Sequence, residues 1–154
     1  MTRNLTLLTD LYQLTMMNGY YLKGRHEKTA VFDVFFRQND LITYSLAAGL
    51  EQVVDYINNI SFGKEEIDYL RSLNLFDEGF LKYLSELKFT GDVYAVPEGV
   101  PVFPGEPILT VKAPIIQAQL VETAILNMVN HQTLIASKAA KICHAAEDDS
   151  VMEF

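Results

Sequence analysis

Apolar positions first recur along the chain with a helical period. In LYQLTMMNGYYL, residues 11–22, Tyr12, Met16 and Tyr20 form one row and Leu14, Met17 and Tyr21 a second. Only Thr15, Asn18 and Gly19 make a polar or small side. That apolar arc is wider than a surface helix needs, so the helix is expected to touch protein or ligand on two sides. Asp10 stands at its start with a carboxylate suited to the free N–H groups of a first turn. Gln13, three residues on, completes a capping-box pair.

The period then changes to two. KTAVFDVFFRQN, from Lys28 to Asn39, reads as a strand with Phe32, Val34 and Phe36 on a wholly apolar face. Val31, Asp33, Phe35 and Arg37 fall on the other, mixed face, which suits the border of a polar site. TYSLAAGLEQVVDYINNI predicts a short strand that turns at Gly49 into an amphipathic helix striped by Val53, Val54, Tyr56, Ile57 and Ile60. KEEIDYLRSLNL and DEGFLKYLSEL predict two further helices with acidic first turns.

GDVYAVPEGVPVFPGEPILTVKAP holds all five prolines of the chain, with short β-rich runs between tight turns. It has the look of a biotinyl- or lipoyl-type half-barrel. Lys112 is not at a hairpin tip, so a swinging-arm carrier is not expected. Pro114 suits the first turn of the long helix that follows. That helix is expected to break near Asn130 and, being uncharged from Thr123 to Ser137 apart from His131, to be buried on most sides. VMEF at the end reads as the beginning of a strand, which points to a piece of something larger.

Composition narrows the function classes. The chain has 154 residues, 49% of them hydrophobic and 21% charged, ordinary for a globular protein with one packed core. Its net charge of −8, with Lys and Arg scattered, argues against a nucleic-acid surface while leaving room for a local anion site. Cys143 is the only cysteine, which excludes an internal disulfide and reads as a small buried side chain. No signal pattern and no charge-free run of membrane length occurs, so a cytoplasmic location is the default expectation.

Candidate chemistry is sparse. Tyr12, Tyr20 and Tyr21 suit either stacking on a flat ligand or packing between helices. Arg37, at a strand end beside Gln38 and Asn39, suits either a phosphate or open solvent. His144 with Glu147, Asp148 and Asp149 lacks any metal-ligand spacing and reads as a solvated loop. No GxGxxG, P-loop or GxSxG motif occurs, and no set of nucleophile, base and orienter is intact.

Taken together, TDLYQLTM, AVFDVFFR, LAAGLEQVVDYI, VPEGVPVFPGEPILTVKAP, LVETAILNMVNHQTLIA and the final MEF closely resemble the N-terminal part of the nicotinate phosphoribosyltransferase family, over essentially the whole chain. DLYQ and FPGEPIL favour that branch over relatives that use nicotinamide or quinolinate.

The resemblance implies an α+β or α/β fold. A mixed α/β N-terminal domain with the Pro/Gly-rich β segment would span 1–113. The helical lead-in and first strand of an irregular α/β barrel, itself missing, would span 114–154. It also implies transfer of a phosphoribosyl group from 5-phosphoribosyl 1-diphosphate to nicotinate, driven by ATP through a phosphohistidine with Mg²⁺ present. The enzyme would be a homodimer with shared active sites. Tyr12 matches the tyrosine that stacks on the pyridine ring across the dimer, and Arg37 a basic residue near the phosphates. No catalytic residue and no Mg²⁺ or ATP ligand carries over: neither His131 nor His144 lies in the phosphohistidine context, and this stretch alone is expected to be inactive. The competing expectation is a non-enzymatic assembly domain that uses its long helix and tyrosine arc to join another subunit.

Overall fold

A computed structural model describes residues 4–38 and 42–152. The chain runs α1 (Leu11–Leu22), β1 (Thr29–Val34), β2 (Ser45–Leu46), α2 (Leu50–Asn58), α3 (Lys64–Ser72), α4 (Glu78–Glu86), β3 (Asp92–Ala95), β4 (Pro101–Val102), β5 (Leu109–Pro114) and α5 (Ile115–Ala146). β5 is the centre of an antiparallel three-stranded sheet in the order β1-β5-β3, while β2 and β4 pair separately.

The register keeps the apolar faces together. Ala30, Phe32 and Val34 stand opposite Ala113, Val111 and Leu109, so every core-facing residue of β1 meets a core-facing residue of β5. Lys112, on the outer face, lies opposite Val31 and Asp92. Just before β3, a Cβ on Gly91 would lie 2.4 Å from that of Ala113 and 2.8 Å from the Lys112 carbonyl oxygen, so glycine permits the close approach to β5.

Two expectations for the strands are corrected. β1 ends at Val34 rather than running toward Asn39, which lies outside the described residues. Continued by two residues, the register would set Phe36 against Pro107, which has no N–H to donate. The Phe36 carbonyl instead accepts from Gly105 N at 3.0 Å. The Pro/Gly-rich segment is also not a self-contained half-barrel. Its strands find partners elsewhere, β5 with β1 and β4 with β2.

α5 packs its first half across the sheet and against α1 and α2, burying Ile116, Leu120, Val121, Ala124 and Ile125 almost completely. It is unbroken at Asn130, because Ile115–Ala146 contains neither proline nor glycine and asparagine costs a helix only about 0.7 kcal/mol or less. The expectation of burial through Ser137 holds only to about Thr133. At some 1.5 Å per residue the 32-residue helix outreaches the described body, leaving Leu134 49% and Ile135 56% exposed. For the same reason Cys143 is exposed, not buried, while His131 is exposed because it lies on the outer face of the packed part. Val151 and Met152 have no strand conformation, and Glu153 and Phe154 lie outside the described residues.

α2 shows how distant segments complete one another. Its N-cap, Gly49, has φ +104°, and a Cβ there would press to 3.2 Å from both the Met128 carbonyl oxygen and Val129 Cα. The site demands glycine, and glycine carries no capping side chain. The Glu98 carboxylate takes that role, accepting from Gly49 N at 2.8 Å, Leu50 N at 2.6 Å and Glu51 N at 3.4 Å. Val53, Tyr56 and Ile60 then face the core, whereas Val54, expected in the stripe, is exposed.

Candidate functional site: an aromatic cleft with one arginine

The two rows of α1 separate as their spacing implies. Leu14 and Met17 enter the core, and Tyr21 packs among His26, Phe80 and Tyr83 with ring centroids 5.2–6.0 Å away. Tyr12 is 56% exposed and Met16 stands beside it in the outer row. The capping box is present: Gln13 Oε1 accepts from Asp10 N at 3.2 Å, which holds the first turn closed.

Tyr12 borders an open cleft of about 730 Å³. That volume is in the range of small-molecule sites, roughly 300–1,000 Å³. The cleft collects Asp10 and Tyr12 from the start of α1, Val34 to Arg37 from the end of β1, and Glu122, Thr123, Asn127 and Asn130 from α5. Tyr12 and Arg37, the two residues singled out in the sequence, therefore share one cavity. Tyr20 and Tyr21 do not line it.

The cleft sets one guanidinium and two carboxylates beside an aromatic ring. Asp10 Oδ2 accepts from the Thr123 hydroxyl at 2.9 Å, and Glu122 Oε2 accepts from Gln13 Nε2 at 2.9 Å. The two carboxylates are thus tied into the protein. Among the described residues, Arg37 forms no ion pair, so its guanidinium remains available in the cleft. The lining contains no histidine, cysteine or lysine. The arrangement can stack a flat ring beside one guanidinium; Asp10 and Glu122 are its carboxylates, and no covalent nucleophile pair lines it.

The residues missed from sequence are the polar ones on α5. Thr123, Asn127 and Asn130 are spaced four and three apart, a polar row on an otherwise apolar helix. That spacing was the available signal, overshadowed by the absence of charge. Among the described residues no group of three or more His, Cys, Asp or Glu side chains gathers to hold a metal, and no helix is long and apolar enough to cross a membrane.

Fold and cleft define a mixed α/β domain with an open cleft bordered by Tyr12 and Arg37. The family whose description reads nicotinate phosphoribosyltransferase (NAPRTase) N-terminal domain matches residues 7–130, and the chain belongs to that family. It is 45% identical over 149 residues to the nicotinate phosphoribosyltransferase pncB2 of Mycobacterium tuberculosis, covering 96% of this chain and 32% of that protein. Its identity to the nicotinate phosphoribosyltransferase of Bacillus subtilis is 45% over 152 residues, covering 98% and 31%.

The crystal structure of human nicotinic acid phosphoribosyltransferase superposes with a TM-score of 0.86 at 36% identity, over 94% of this chain and 30% of that one. Nicotinate-nucleotide pyrophosphorylase from Pyrococcus furiosus shares the fold, with a TM-score of 0.68 at 21% identity over 94% and 30%. The chain spans about a third of the length of the relatives it matches.

Proposed function

We propose that the whole protein joins nicotinate to 5-phosphoribosyl 1-diphosphate, releasing diphosphate and nicotinate mononucleotide. In this reading it is a cytoplasmic enzyme of NAD salvage that works with ATP and Mg²⁺. Tyr12 covers the pyridine ring and Arg37 holds a phosphate group. The observation that carries the reading is that Tyr12 and Arg37 line the same cleft in a chain of this family. ATP and Mg²⁺ enter from the resemblance alone. The described residues do not form a metal site, and no step is assigned to either group here.

A homodimer with shared active sites belongs to the same proposal. The outer row of α1, with Leu11, Tyr12 and Met16 exposed, supports it, because such side chains are suited to burial against another chain. The described region by itself should show no turnover, since it spans only about a third of the length of the relatives it matches.

The test is assay of the full-length gene product with nicotinate, phosphoribosyl diphosphate and Mg·ATP, with nicotinamide and quinolinate as competing substrates. Nicotinate mononucleotide is the expected product, and its absence would overturn the reading. Tyr12→Ala should raise the nicotinate KM roughly tenfold, equivalent to about 1.4 kcal/mol of lost stacking and contact. Tyr12→Phe, which keeps the ring, should stay close to the parent. Arg37→Ala should raise the KM for phosphoribosyl diphosphate instead.

A further inference from the structure

Tyr12 has little of its own surface packed against the protein, yet stacking requires a ring at a defined place. Its neighbour Gln13 is fully buried, the only residue of the first turn of α1 that is. Leu11 and Tyr12 on one side of it are both more than half exposed. Together with Leu14 and the Asp10–Thr123 bond, the Gln13 carboxamide therefore places the start of α1.

Its bonds reach across the fold. Gln13 Nε2 donates to Glu122 Oε2 at 2.9 Å, and the Thr123 hydroxyl lies 2.8 Å from Gln13 Oε1. Thr9 Oγ1 donates to the same Oε1 at 2.6 Å, beside the Asp10 N–H. The single Thr123 proton is shared between Gln13 and the Asp10 carboxylate, 2.9 Å away. A carbonyl oxygen has two lone pairs, so when that proton turns to Asp10 the Gln13 oxygen is satisfied by Thr9 and the Asp10 N–H.

Glu122 and Thr123 belong to the α5 wall of the cleft, and Asp10 and Tyr12 to the α1 wall. The Gln13 amide is thus the polar joint that sets the distance between the two walls. Leu14, in the same first turn, and Met17 add apolar anchors on the core side of α1.

We propose that Gln13 is a positioning residue: it fixes the place of the Tyr12 ring relative to α5 and so tunes the affinity for the aromatic substrate. This rests on the functional reading above. A buried amide that bridges two walls leaves unpaired polar groups when removed, and the start of the helix then swings to satisfy them.

The experiment is steady-state kinetics of the full-length gene product carrying Gln13→Leu, Tyr12→Ala and both. Gln13→Leu is expected to raise the nicotinate KM at least fivefold while the KM for phosphoribosyl diphosphate changes less than twofold. In the Tyr12→Ala background it should add less than twofold, because the ring it positions is gone. Glu122→Leu, which removes the acceptor of the Gln13 Nε2 bond on the α5 side and leaves Gln13 in place, should show the same dependence on Tyr12 and guards against a misfolded Gln13 variant.

Effects that multiply independently of Tyr12, or that fall equally on both substrates, would overturn the proposal. So would unchanged nicotinate KM in Gln13→Leu and Glu122→Leu alike. The underlying reading fails separately, when Tyr12→Ala alone leaves the nicotinate KM unchanged.

Discussion

Glu98→Ala tests whether one carboxylate in the Pro/Gly-rich segment holds the start of α2. Glu98 accepts two short bonds, at 2.8 Å from Gly49 N and 2.6 Å from Leu50 N, and a long one at 3.4 Å from Glu51 N. Losing a helix cap costs about 0.5–2 kcal/mol. A carboxylate at the positive end of the helix dipole adds about 0.3–1 kcal/mol at exposed sites. Gly49 is buried, so its N–H would be left without a partner, which argues for the upper part of the capping range. Glu98 itself is exposed, which argues for the lower part of the charge term.

The sum is about 2 kcal/mol, and for a domain of this size it lowers the thermal midpoint by roughly 4–8 °C. Glu98→Gln keeps an acceptor and loses the charge, so its drop should be less than half as large. Circular dichroism melts of both variants against the parent, with urea titrations to check that the m-value is unchanged, make the comparison. A midpoint within about 1 °C of the parent for Glu98→Ala would refute the capping role, given the cap range cited above.

Two tyrosines make further tests. The Tyr56 hydroxyl is buried with no hydrogen-bond partner among the described residues, so Tyr56→Phe should raise stability by up to about 1 kcal/mol in a urea titration; a fall would show that the hydroxyl is satisfied in solution. Burial first, and then the Glu27 carboxylate 3.1 Å from its hydroxyl, push the Tyr83 pKa up to about 12. The unfolded chain releases that proton near pH 10, before the folded one does. The contribution of Tyr83 to stability therefore falls as pH rises from about 10 to about 12 and levels off beyond. Tyr83→Phe should flatten that part of the pH profile, and an unchanged slope would refute the assignment.

Elements whose signals lie within a few residues were legible in the chain. Asp10 and Gln13 announced the first helix turn, the alternation of Ala30, Phe32 and Val34 marked the core face of β1, and the turn at Gly49 into α2 lay where expected. Residue type alone left Tyr12 level with Tyr20 and Tyr21, and Arg37 between a phosphate and open solvent; the family resemblance singled out Tyr12 and Arg37. Less visible was the company they keep. Asp10 meets Thr123 across 113 positions and Gln13 meets Glu122 across 109, and nothing local in either segment specifies the other.

Local period and capping chemistry thus determined which stretches became helix or strand and which of their faces were apolar. Only the tertiary structure decided that the Pro/Gly-rich strands divide between two sheets, that Glu98 caps a helix begun by a glycine, and that α5 stays unbroken with its far half uncovered among the described residues. It also decided that a tyrosine and an arginine 25 positions apart border one cleft. The reason is physical. Helix and strand periods act over a few residues, whereas a cleft is the space left when distant segments have satisfied their apolar faces and buried polar groups against one another.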